Sequence, residues 1–184
     1  MDIASLKSRY QPIGFREGSE TLTPDESFLA RFEGSFETCR FEMDPDYQRD
    51  HVWTAEQQGR FIGFLLEGGK RPEIICNRIF NLKPKIVDEV IDGKQRLTAL
   101  YCFLKNVIPA IYTDGEELWF ANMTKEAKAW IRGLTSPLSM QIGYVSLSRT
   151  EVLRLYLKLN RGGSVHTDAE INRVRALLAD MLEE

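Results

Sequence analysis

The sequence predicts a mixed α/β fold of the α+β kind, with a small mixed sheet, flanking helices and a helical C-terminal third. Three observations predict it. Short runs of β character recur at residues 36–41, 72–77, 85–91 and 140–147. Between them lie segments whose apolar residues return every three or four positions, the period of a helix buried on one face. Helix-start signatures, a Thr or Ser with Glu three residues later, stand before several of those segments. The 184 residues suffice for one domain with a real core, so residues 23–184 read as one domain. Residues 1–22, polar and carrying Gly14 and Gly18, read as a partly ordered arm.

In order along the chain, Thr23-Pro24-Asp25-Glu26 predicts a short helix to about Phe32, with Thr23 as N-cap. A strand at 36–41 is broken by Asp44-Pro45-Asp46. Thr54 then caps a helix whose apolar face is Phe61, Phe64 and Leu65, and Gly68-Gly69 ends it. Two buried strands follow at 72–77 and 85–91. Leu97, Leu100, Tyr101 and Leu104 share one face of the next helix. Residues 109–112 and 117–120 predict a hairpin around Thr113-Asp114-Gly115. Residues 124–132 form a short helix closed by Gly133, and 140–147 a last strand. Capping boxes at Ser148-Glu151 and Thr167-Glu170 open two final helices, the first ending at Asn160-Arg161-Gly162-Gly163. There is no internal repeat and no low-complexity stretch.

Composition narrows the function. With 43% hydrophobic and 28% charged residues, the chain is that of an ordinary soluble globular protein. No apolar run approaches the ~18 residues of a membrane helix, and the first residues lack a signal-peptide core. A cytoplasmic protein without a membrane partner is expected. Cys39, Cys76 and Cys102 are odd in number and lie in apolar segments, and His51 and His166 have no ligand spacing. Buried free thiols are expected, with neither zinc nor disulfides. The net charge of −3 disfavours a general DNA coat but not a local basic pocket.

Three stretches carry candidate chemistry. In Ile91-Asp92-Gly93-Lys94-Gln95-Arg96 an apolar strand ends in Asp-Gly and a helix begins at once. Free N–H groups of a helix start suit an anion, Gly93 permits close approach and an unusual φ, and Arg96 in the first turn leans back toward it. Asp92 would accept from a ribose hydroxyl, bind a metal or act as a base. The plain alternative is that Asp92 caps the helix and pairs with Arg96. Asn160-Arg161-Gly162-Gly163 puts an amide and a guanidinium on a flexible loop, or is simply a glycine-terminated helix. In Tyr47-Gln48-Arg49-Asp50-His51-Val52-Trp53, Arg49 lies between aromatic residues and before a helix start; either it serves a ligand or it bridges Asp46 or Asp50 while Trp53 joins the core. Asp44, Asp46, Asp88, Glu89 and Asp92 could hold Mg²⁺ only if the fold gathered them; a scattered, solvated set is the plainer expectation.

Together these stretches resemble one family. Tyr47-Gln48-Arg49-x-x-Val52-Trp53 resembles its opening motif, and Asp92-Gly93-Lys94-Gln95-Arg96 its Asp-Gly-Gln-Gln-Arg signature. Leu159-Asn160-Arg161-Gly162-Gly163 with Thr167-x-x-Glu170-Ile171 is similar to its closing motif. The chain is thereby identified as a member of the DGQQR branch of the ParB/sulfiredoxin-like superfamily, familiar as the N-terminal domain of GmrSD-type modification-dependent restriction proteins. The resemblance implies the ParB/sulfiredoxin-like fold and a nucleoside triphosphate held at the signature, with Mg²⁺ optional. By carry-over Asp92 and Arg96 are the leading catalytic candidates, and Gly93, Lys94, Gln95, Arg49, Asn160 and Arg161 the phosphate-binding ones. The implied function is nucleotide binding, with hydrolysis, in DNA metabolism or restriction and defence. A DNA-binding protein or nuclease using the same phosphate site is one alternative. A non-catalytic protein partner, or a virus-encoded decoy of a defence complex, is another. Lys94 departs from the signature's first glutamine, adding charge and losing an acceptor. Restriction relatives continue into a nuclease domain that this sequence does not supply, so autonomous cutting is not expected.

Overall fold

A computed structural model describes residues 18–36, 38–80, 85–160 and 168–183. Its main sheet has five strands: β1 (Gly18–Leu22), β2 (Cys39–Glu42), β3 (Ile74–Phe80), β4 (Ile86–Asp92) and β7 (Met140–Val145). Their order is β1-β7-β3-β4-β2. The β1–β7 and β3–β4 pairs are antiparallel, and the β2–β4 and β3–β7 pairs parallel. A small hairpin pairs β5 (Ala110–Ile111) with β6 (Glu117–Leu118). The helices are α1 (Glu26–Glu33), α2 (Ala55–Leu66), α3 (Lys94–Leu104), α4 (Lys125–Ile131), α5 (Arg149–Leu159) and α6 (Asp168–Glu183). A 3₁₀ turn at Phe120–Asn122 precedes α4.

The sheet is covered on both faces because β4, beside the central strand β3, is apolar on both. Alternate residues of a strand face opposite ways. Val90 joins Ile74, Cys76, Ile142 and the inner faces of α1, α2 and α3 in the larger core. Its neighbour Ile91 joins Val145, Val152, Leu153 and Tyr156 in a second core under α5 and α6. The mixed α/β expectation holds, and the C-terminal helices form their own layer.

Local signals place most element starts. Thr54 and Gln57 exchange side-chain and backbone hydrogen bonds in a capping box that opens α2. Glu151 accepts from the Ser148 backbone N–H and hydroxyl at the start of α5. Such caps contribute about 1 kcal/mol each. The Thr167 box lies outside the described residues.

Four details differ from the sequence reading. The end of the stretch read as an arm forms β1, paired along its length with β7. Asp25, not Thr23, is the N-cap of α1, its carboxylate accepting from the Ser27 and Phe28 N–H groups. A carboxylate outcompetes the Thr23 hydroxyl, which donates to it instead at 2.8 Å. The strand expected at 36–41 is shifted to Cys39–Glu42. Phe64 is 48% exposed, because the buried side of α2 is made by Ile62 and Leu65 with Gly59 and Gly63 between them.

One polar cluster is built into the larger core. Asp88 on β4 is fully buried and accepts from Arg31 at 2.7 Å and from Arg78 at 2.8 Å. Arg31 also reaches Glu20 on β1 at 2.7 Å, and the Arg78 guanidinium lies 3.5 Å over the Tyr144 ring of β7. Cys39 donates to the same Asp88, and burial pushes its thiol up to about 11, so it stays protonated and unreactive.

Candidate functional site

The sheet register brings the C-terminal end of β4 beside the N-terminal ends of β3 and β7, with Asp92 opposite Ile75 and Ile74 opposite Ile142. There the chain turns from β4 into α3 through one residue, Gly93. Its φ is 111°, and a Cβ would stand 2.4 Å from Ile74 Cδ1. Glycine is therefore required twice, for conformation and for space. It also leaves α3 without a side-chain cap, whereas α1, α2 and α4 are capped by Asp25, Thr54 and Thr124. The first N–H groups of α3 and the positive end of its dipole face outward.

These groups open on one cleft. Asp92, Gly93, Lys94, Gln95 and Arg96 line it from the junction; Gln48, Arg49 and Trp53 line it from the preceding loop. Tyr156 and Asn160 close it from the end of α5. Segments more than 100 residues apart in sequence thus line one cleft. The cavity volume is about 80 Å³. That is well below the ~300 Å³ at which pockets for whole small molecules begin, so the cleft suits a single phosphate group rather than a whole nucleotide.

The junction side chains do different work from one another. Arg96 donates to both carboxylate oxygens of Asp92, at 2.9 and 2.8 Å, and to the Glu73 carbonyl at 2.6 Å. Of the plainer sequence reading, the pairing of Asp92 with Arg96 is what the fold adopts and the capping is not, since Gly93 is the N-cap and no side chain caps α3. Lys94 is buried, with its ammonium on Asp44 at 2.5 Å and on the Arg49 carbonyl at 2.9 Å. The Gln95 side chain accepts from the Val52 and Trp53 N–H groups and donates to the Asp50 carbonyl at 3.4 Å. Lys94 and Gln95 therefore pin the 44–53 loop to α3, and that loop presents Arg49.

Gln48 and Tyr156 were not singled out as site residues from the sequence. Gln48 is buried and donates to the Ile91 carbonyl at 3.1 Å and to the Val90 carbonyl, anchoring the loop to the end of β4. Its only signal was its place next to Arg49. The Tyr156 hydroxyl hydrogen-bonds the Arg49 backbone, and its pKa is raised by burial. Asn160, one turn on, donates to the Tyr156 carbonyl at 2.8 Å; the four-residue spacing was the available signal. Arg161 lies outside the described residues.

The carboxylates that might have held a metal are dispersed. Asp44 is on Lys94, Asp46 on Arg149, Asp88 on Arg31 and Arg78, and Asp92 on Arg96. Glu89 faces the second core, bonded to Asn77 and Arg149, with its pKa raised by burial. Among the described residues no three potential ligands come together. This donor set does not fit a protein-held Mg²⁺ ion.

A helix-covered mixed sheet with one cleft at a strand-to-helix junction, closed by a loop and a distant helix end, defines an α/β domain built around that junction. The chain matches the family described as GmrSD restriction endonuclease, N-terminal domain, over residues 32–176. It belongs to that family, which sets it in the context of restriction and defence. No curated protein and no solved structure matches it. No helix among the described residues is long and apolar enough to cross a membrane.

Proposed function

We propose that this domain binds a nucleoside triphosphate through one phosphate group at the start of α3, as the nucleotide-responsive part of a restriction-type system. The observation that supports the reading is the meeting of Arg49, the Asp92–Arg96 junction and Asn160 on one cleft of phosphate size at an uncapped helix start. The phosphate takes the N–H groups of α3 and shares the Arg96 guanidinium with Asp92. Base and ribose lie outside the cleft, against Trp53 and the end of α5. Asp92 acts as a positioning residue, because both of its oxygens are engaged by Arg96. Any Mg²⁺ enters on the triphosphate's own oxygens, and hydrolysis is proposed only as slow turnover at this phosphate.

Calorimetric titration of ATP and GTP into the wild type and Arg96→Ala tests the reading. Loss of one charge-assisted contact weakens binding roughly 10- to 150-fold. Equal affinity in both proteins refutes it. The openness of the cleft supports a second reading, a backbone phosphate of DNA in the same place. In that case an oligonucleotide displaces the nucleotide and Arg96→Ala weakens both.

A further inference from the structure

A second cleft lies at the same end of the sheet, with a volume of about 530 Å³, in the size range of small-molecule sites. Leu65 of α2 and Lys70 and Arg71 of the following loop line it, with Trp130 from α4, Ser136 and Pro137 from the approach to β7 and Gln141 from β7 itself. Trp130 is 53% exposed and stacks on no other ring among the described residues. No carboxylate among the described residues lines this cleft. Lys70 forms no ion pair among the described residues, and Arg71 is steered toward the cleft by donating to the Ser136 and Ser139 carbonyls at 3.3 and 3.4 Å.

We infer that this cleft is a docking site for a single strand of nucleic acid, one base stacking on Trp130 and its phosphate lying on Lys70 and Arg71. An open indole beside two cations is how sequence-tolerant strand binding is built, the ring taking any base and the cations following the backbone. Leu65, Pro137 and Trp130 give the cleft an apolar floor, but two cations beside it with no carboxylate among its described lining residues favour a polyanion over an apolar protein segment. Arg71 is two residues from Glu73, whose carbonyl accepts from Arg96, so residues 70–73 separate the two clefts. This site does not depend on what the Arg96 cleft holds.

The test is fluorescence anisotropy with a labelled oligothymidylate of about 12 nucleotides, within the ~4–16 of known strand-binding folds. The full chain is used, with far-ultraviolet dichroism confirming the fold of each variant. Trp130→Ala weakens binding roughly 5- to 150-fold, and Trp130→Phe recovers part of the loss. Lys70→Ala weakens it and lowers the salt slope by about 0.7. Arg60→Ala, which removes an exposed cation of α2 that lines neither cleft, leaves it unchanged. Absent binding, or unchanged binding in both Trp130→Ala and Lys70→Ala, overturns the inference. So does duplex DNA bound as tightly as the single strand, thymidine monophosphate competing as well as the oligonucleotide, or an equal loss of strand binding in Arg60→Ala.

Discussion

At the scale of single residues, the site rests on a division of labour inside one signature. Gly93 supplies a left-handed turn, Lys94 and Gln95 hold a loop, and Arg96 faces the cleft. Lys94 reads in the sequence as an added positive charge for a ligand. In the fold its ammonium is buried and neutralised by Asp44, so its effect on an anion is indirect. Lys94→Ala leaves the Arg49 carbonyl without its donor and opens a cavity. It lowers unfolding free energy by about 1–3 kcal/mol in urea titrations and weakens nucleotide binding through Arg49. Asp44→Asn, at a side chain 75% exposed, costs under about 1 kcal/mol. A larger loss in Asp44→Asn than in Lys94→Ala would contradict this ordering. Gly93 was legible in the sequence because a tight junction before a helix has few other solutions. The destination of Lys94 was not, since its partners lie 45 and 50 residues away on a loop whose docking only the folded chain defines.

At the scale of elements, the helix starts were legible and the helix faces less so. Thr54 and Ser148 act where their sequence places them, because capping is decided within four residues. Phe64 was read as core, yet it points outward. The reason is that α2 presents glycines to the hairpin. A Cβ on Gly63 would stand 1.9 Å from the Ile111 carbonyl oxygen, and one on Gly59 2.7 Å from that of Pro109. The helix packs by backbone approach, a contact that hydrophobic periodicity does not record. Gly63→Ala improves helix propensity by about 1 kcal/mol, but it forces α2 off β5. We expect net destabilisation of about 1–3 kcal/mol, read as a lower midpoint in thermal denaturation. A midpoint equal to or above the wild type would show that the hairpin yields freely.

At the scale of the whole molecule, the sheet is held by charge as well as by its two cores. The strand order could not be read from the sequence, because parallel pairing of β2 with β4 and of β3 with β7 joins segments that are distant in the chain. Asp88 lies on β4, inside that order, held by Arg31 of α1 and by Arg78 of the central strand β3. Removing its charge leaves two guanidinium groups facing each other in a half-buried site. Asp88→Ala therefore costs about 3–5 kcal/mol, measured by urea denaturation with the Arg96 cleft left chemically intact. A loss below ~1 kcal/mol would place the weight of the fold on the apolar cores alone. The same cluster ties Glu20 of β1 to the middle of the sheet through Arg31. The family's shared span starts at residue 32, after β1 and nearly all of α1. A fragment trimmed to that span would lose Arg31 and strip β7 of β1, leaving it only β3. The bared edge of β7 would then be an open rung for any passing strand.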